Sequence, residues 1–311
     1  MSAATGDAVT NDPVSAATRD TVTKDRAAPG RTGSRRPVWD PLPRRASRNS
    51  LGGRLLAIRE PIPDTARRLL VAASVLVPLA LWMALSAAGA VREEFLPAPS
   101  AVLSAGLDML RTGQLFEDAW ASISRVLIGF GIAVAISVPL GTAMGTFLAA
   151  RAAFEPVIGL LRYLPASAFI PLLIIWLGLG EAAKITVIVI GVVFFNTLMT
   201  ADVVRLVPPQ LIDVSYTLGA RRSEVLRKVI LPHALPGMID AMRVNAAAAW
   251  NFVVIAELIA ATSGLGYRIT RAQRFLQTDD IFAVLVVIGV IGLGIDVGLR
   301  LLRARVGRWV A

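Results

Sequence analysis

Few of the 311 residues could do chemistry, and their types narrow the field at once. There is no cysteine and a single histidine, His233. Disulfides and thiolate metal sites are therefore excluded, and one histidine leaves little room for a His-based metal site or catalytic triad. His233 lies between two prolines and reads as a solvated structural residue in preference to a pH sensor. No G-x-x-x-x-G-K-[ST] phosphate loop occurs, so the chain should not hydrolyse ATP itself, and no cofactor is expected. What remains is a short set of polar groups in apolar surroundings: Asn245, Asn251 and Glu257, followed by Arg268 and Arg271. Such groups face a bundle interior or a water-filled path. Interhelical hydrogen bonding is the alternative for the two asparagines. Glu257 stands near the end of its apolar block, where it is either a path residue or one resting at headgroup level.

The elements that must position these residues are apolar blocks. Hydrophobic residues make up 55% of the chain and charged residues 17%, with a mean hydropathy of +0.64. No charge interrupts Leu69–Val91 or Val126–Ala150, and roughly 20 apolar residues suffice for a helix to cross a bilayer. Six spans are expected, at about 69–90, 126–149, 157–177, 185–204, 237–259 and 281–301. Pro78 falls in the first, Pro139 with Gly141 and Gly145 in the second, and Pro165 and Pro171 interrupt the third. The last two contain or border Arg243 and Asp296. Gly141 and Gly145 allow close helix approach, either within the chain or at a seam with a second copy. A soluble core would show amphipathic stripes in place of these blocks.

Residues 1–60 have a different character. They are rich in Ala, Thr, Ser, Asp, Arg and Pro, with a near-duplication at Ser2–Asp12 and Ser15–Asp25 that carries no hydrophobic face. This tail reads as disordered, leaving 61–311 as the membrane domain. It has no early apolar h-region, so the first span is expected to be an uncleaved anchor. The net charge of +10 does not indicate nucleic acid, because the basic residues flank the blocks without forming one patch. Arg67 and Arg68, Arg151 and Arg162, the group from Arg205 to Lys228, and Arg300 to Arg308 all fall on one side. The positive-inside rule makes that side cytoplasmic, with both termini. The opposite loops carry Glu93, Glu94, Glu117, Asp118, Glu181, Asp279 and Asp280; Arg268, Arg271 and Arg274 go against the trend.

The cytoplasmic stretch Pro208–Pro236 has its own pattern. Pro208 and Pro209 open a short helix with Leu211, Ser215 and Leu218 at helical spacing, and Gly219 is placed to end it. A second helix is expected to start at Ser223 as N-cap, with Glu224 in its first turn, and to stop at Pro232. Val225, Leu226, Val229 and Ile230 form its apolar face, with Arg227 and Lys228 turned away. On these grounds alone, a protein-docking element and a helix pair resting on lipid headgroups are equally supported.

The segment Asp213-Val-Ser-Tyr-Thr-Leu-Gly219, followed after nine residues by Val229-Ile-Leu-Pro232, resembles the EAA loop of binding-protein-dependent ABC importer permeases. Gly219, Leu231 and Pro232 match the family pattern; Asp213 stands for Glu, and Val214 and Ser215 stand for the alanine pair. Leu96–Ser100, Ser124–Gly129, Pro171–Gly178, Ala256-Glu257 and Ser263–Tyr267 resemble, in the same order, the nitrate, sulfonate and taurine group of that family.

The resemblance implies an all-α integral membrane protein of the type I ABC importer permease fold in the cell membrane. It implies a path for a small anion, with a second permease copy, cytoplasmic ABC ATPase subunits and an extracytoplasmic substrate-binding protein as partners. It assigns Asp213, Ser215, Gly219, Ala220, Glu224, Arg227, Leu231 and Pro232 to ATPase coupling. Asn251, Glu257, Arg268 and Arg271 are its candidates for the path or gate. A lone carboxylate would repel an anion, so Glu257 is expected to pair with Arg268 or Arg271, which would make the outer mouth attractive to anions. An ion-gradient-driven secondary transporter is the competing class; it does not account for the loop, and the spans hold few acidic residues for a proton relay.

Overall fold

A computed structural model describes residues 62–307. The expected disordered tail and Arg308 lie outside the described residues. The helices, in chain order, are α1 (Asp64–Ala87), α2 (Pro99–Arg111), α3 (Gln114–Thr146), α4 (Leu148–Leu161), α5 (Ile170–Leu177, entered through a 3₁₀ turn at Ala166–Phe169), α6 (Glu181–Arg205), α7 (Pro209–Thr217), α8 (Arg222–Val225), α9 (Leu231–Ala260), α10 (Leu265–Arg274) and α11 (Thr278–Val306). A π-turn at Leu226–Ile230 joins α8 to α9. Five segments are long and apolar enough to cross a membrane: α1, α3, α6, Arg222–Ile259 and α11. The sixth candidate is α4 with Ala166–Leu177, bent by 79°. That bend follows the chain into Pro165, which caps the 3₁₀ turn in an extended conformation and disfavours helix in the residue before it. Pro171 does not break anything. It occupies the first turn of α5, where its missing N–H would have had no partner.

Several helices run past the hydrophobic blocks that signal them. α3 begins at Gln114, far ahead of the apolar run at Val126, so Glu117 and Asp118 lie on a helix and not in a loop. Hydropathy marks where lipid begins; a helix ends where its backbone is capped, here at Gly113 with φ 77°. α2 is too short to span and gave no hydropathic signal; Pro99 starts it from the first-turn position.

The centre is built on α3, α6 and α9. Val126, Ala133, Ile188, Val192, Ala249 and Val253 pack there, with Ala283 and Val284 of α11 beside them. Gly141 and Gly145 give α3 its close approach to α6. A β-carbon on Gly141 would lie 2.5 Å from the Thr197 carbonyl oxygen, and one on Gly145 2.5 Å from Val204 Cβ. The pair therefore packs within the chain, not at a seam between copies. A polar layer crosses the same three helices: Asn196 Nδ2 donates to Ser137 Oγ at 2.5 Å, and Asn245 Nδ2 donates to Asn196 Oδ1 at 3.2 Å. Asn245 is thus an interhelical hydrogen-bonding residue.

The charges inside the last two spans answer one another. Asp296 of α11 pairs with Arg243 of α9 and, at 2.8 Å, with Arg300; Arg303 pairs with Asp240 at 2.7 Å. Ion pairing lowers the penalty of placing such groups near lipid, which is why both spans tolerate them.

Candidate functional site

The two regions singled out by sequence lie at opposite ends of α9. At its C-terminal end the chain turns through Ser263–Gly266, and this turn is held almost entirely by buried side chains. The Gly264 N–H donates to Asp118 Oδ1 at 2.8 Å, the Leu265 N–H to Ser122 Oγ at 2.9 Å and the Gly266 N–H to Glu257 Oε2 at 2.9 Å. Gly264 has φ 118°, a conformation that L side chains rarely adopt. A β-carbon there would strike the Glu257 carboxyl and the Arg125 guanidinium, and one on Gly266 would meet the Val254 carbonyl oxygen at 2.6 Å. Both glycines are needed for close approach.

Arg125 is the hub of this end. Its side chain is 4% exposed and its N–H groups are all engaged. Nε and Nη2 grip the Glu181 carboxylate at 2.5 and 2.8 Å; Nη1 reaches Glu257 Oε1 at 2.7 Å and the Ser263 carbonyl at 2.8 Å; Nη2 also reaches Ser263 Oγ at 3.0 Å. Lys184, equally buried, donates to Glu181 Oε1 at 2.9 Å. Arg268 pairs with Asp118 at 2.6 Å and donates to Gln114 at 2.6 Å. The cluster sums to three cations (Arg125, Lys184, Arg268) and three carboxylates (Asp118, Glu181, Glu257). Buried charge is tolerable when paired and hydrogen-bonded in this way.

The expected pairing of Glu257 with Arg268 or Arg271 does not form. Glu257 is buried against Arg125 and Ser122; Arg268 turns to Asp118, and Arg271 is exposed. Glu257 is therefore enclosed by the protein. Three decisive members, Arg125, Asp118 and Glu181, were visible only as a motif residue and two loop charges. The available signal was an arginine at the edge of a block otherwise free of charge.

At the other end, α7 and α8 form a helical pair before α9. Gly219 ends α7 with φ 82° and no heavy atom where its β-carbon would stand. Val225 and Ile230 are buried with Val204, Val207, Ala234 and Met238, and Ala220, Leu226, Val229 and Leu231 pack around them. The expected apolar face of the second helix is thus its inward face, while Arg227 and Lys228 are exposed. α7 behaves differently: Leu211, Val214 and Leu218 share a helical row and are 42, 57 and 82% exposed. Ser215, Gly219, Ala220 and Glu224 meet around a cleft of about 310 Å³. Asp213 is exposed outside it, and Arg227, Leu231 and Pro232 do not line it.

Two local expectations are corrected here. The N-cap of the second helix is Arg221, not Ser223. Its N–H donates to Glu224 Oε2 at 3.0 Å, so Glu224 serves as the N3 acceptor and Ser223 falls inside the helix. Pro232 does not end the helix. It sits in the first turn of α9, directly after the π-turn, whose wider hydrogen-bond spacing absorbs the missing donor. The chain runs as one helical segment from Arg222 to Ala260.

Asn251 is exposed on α9, in a row with Val244, Ala247 and Leu258, and so does not join the polar layer of Asn245. His233 is half-buried at the start of α9. Among the described residues, no group of three or more His, Asp or Glu could hold a metal ion.

Comparison with known proteins places these features. Residues 136–311 match the family model for the binding-protein-dependent transport system inner membrane component. A probable ABC transporter permease protein of Brucella melitensis is 40% identical over 228 residues, covering 73% of this chain and 92% of its own. The taurine transport system permease protein of Escherichia coli is 35% identical over 238 residues, 75% of this chain and 86% of that one. In fold, the chain is similar to an inward-facing MetNI methionine ABC transporter structure, with a TM-score of 0.58, 20% identity, and coverage of 63% and 97%.

Proposed function

Because the chain belongs to the family of binding-protein-dependent transport system inner membrane components, and so is a membrane-embedded ABC importer permease with the type I fold, we propose that it forms the translocation path for a small anionic solute of the sulfonate, taurine or nitrate kind, and couples it to a separate ATPase. The observation that carries the coupling role is the exposed row Leu211, Val214 and Leu218 beside the cleft at Gly219. An apolar row next to basic residues and beside a cleft suits a protein partner better than lipid, which would not require the cleft. Cytoplasmic ATPase subunits are the assigned occupants, and the basic loops support a cytoplasmic position for this end and both termini.

The path itself is assigned to the uncovered face of α9. Asn251 there is a polar residue that the chain's own helices leave exposed, and an amide facing hydrocarbon is costly. A second copy closing over this face, with water between, would satisfy it. Arg271 belongs to the outer mouth, where an extracytoplasmic binding protein delivers the solute. Glu257 and Arg268 hold the outer turn in shape and do not contact solute. The taurine permease relative supports a sulfonate as the solute class.

The deciding experiment is copurification from mild detergent followed by uptake of a labelled sulfonate into vesicles. Recovery of an ATPase subunit and uptake that requires ATP are expected. Uptake driven by an ion gradient without ATP would overturn the assignment.

A further inference from the structure

A second cavity of about 320 Å³ lies at the C-terminal end of α9, between Leu258, Ile259 and Ala261 and one face of α10 that carries Tyr267, Thr270, Arg271 and Arg274. These four residues are spaced i, i+3, i+4 and i+7, so they share a face. The adjoining face of α10 carries Leu265, Arg268 and Ala272, all buried. The helix thus divides its arginines by role. Arg268 is spent on Asp118 and Gln114, whereas among the described residues neither Arg271 nor Arg274 is paired with a carboxylate. Glu257 borders the cavity, but both its oxygens are held by Arg125, Ser122 and the Gly266 N–H. Asp279 and Asp280, in the first turn of α11, do not line it.

We propose that this pocket is a binding station for a small organic anion, a sulfonate or carboxylate, held by Arg271 and Arg274 with the Tyr267 hydroxyl as a further donor. Two guanidinium groups present planar, multidentate N–H donors that match a sulfonate or carboxylate head. The flanking Leu258, Ile259 and Phe275 would take a short apolar tail, and the volume is at the small end of ligand sites. The proposal rests on the reading of this end as the outer mouth of an importer. It adds that the permease itself, and not only a binding protein, selects for negative charge.

The test uses the full chain in nanodiscs of zwitterionic lipid, titrated calorimetrically with methanesulfonate. Saturable binding is expected, weakened at least tenfold in R271Q/R274Q at an unchanged melting temperature. Absence of binding in the unaltered chain, or equal binding in the variant, overturns the station. So does binding that vanishes when part of the lipid is phosphatidylglycerol, which would give the pocket to lipid headgroups. A readout that needs no variant is protection: methanesulfonate should slow modification of Arg271 and Arg274 by phenylglyoxal, and equal rates with and without it overturn the proposal. None of these measurements involves ATP or a partner, so the station and the importer reading fail separately.

Discussion

Arg125 Nη1 stands 2.7 Å from Glu257 Oε1, joining two residues 132 positions apart in a contact from which water is excluded. The pair ties α3 to α9 and, through Gly266 and Ser263, fixes the turn that starts α10.

Removing Arg125 strands Glu257, whereas removing Glu257 leaves Arg125 on Glu181. Arg125→Ala is expected to destabilise the protein by about 3–5 kcal/mol, the range for breaking a buried pair, and Glu257→Ala by less. Their double variant should lose far less than the sum. Melting in detergent measures all three, and strict additivity would show that the contact does not operate. Glu257 and Arg271, by contrast, should behave independently, with coupling under about 0.5 kcal/mol.

The turn at Gly264 makes a stronger demand on its glycines. Gly264→Ala would place a methyl group on the Glu257–Arg125 contact while holding φ at 118°. It should lower the yield of folded protein sharply. Gly89→Ala, which also has positive φ (61°) but open space around it, should cost only about 1–2 kcal/mol. Equal tolerance of both in an expression and melting screen would refute the close approach.

Two glycines of α3 offer a cleaner contrast. At Gly131 nothing stands within 4 Å of an added methyl group, whereas at Gly141 the Thr197 carbonyl is 2.5 Å away. Gly131→Ala should be neutral or stabilise by up to about 1 kcal/mol through helix propensity. Gly141→Ala should destabilise by about 1–3 kcal/mol through overpacking. The order of the two melting temperatures decides it.

The exposed row of α7 can be altered without touching the bundle. Leu218 is 82% exposed, so Leu218→Asp should shift stability by no more than about 0.5 kcal/mol yet abolish ATPase recovery and ATP-dependent uptake. Gly219→Val, which also strains the φ 82° backbone, should uncouple as well. Normal import by an assembled variant would remove the coupling role.

The spans were legible because a bilayer imposes a minimum apolar length, so a charge-free block such as Leu69–Val91 has one physical reading. Helix ends were not, since Gln114 and Arg222 lie in polar sequence that hydropathy does not register. The loop was readable from the spacing of Gly219, Leu231 and Pro232. Its correct cap was not, because Arg221 caps through its backbone and no side-chain type announces that. At the C-terminal end of α9, the repulsion between a lone carboxylate and an anion favoured pairing Glu257 with neighbouring arginines, while the fold brought Arg125 from another helix. Which cation reaches a buried carboxylate is decided by helix packing, and packing leaves no local mark.

The π-turn at Leu226–Ile230 has a mechanical consequence. By carrying the backbone past Pro232, it makes the 38 residues Arg222–Ile259 a single rod of about 57 Å at 1.5 Å per residue. A rod of that length tilted by about 10° at its loop end sweeps its far end by about 10 Å. The turn clamped by Arg125 and Glu257 rides on that far end, so a tilt at the loop displaces that turn.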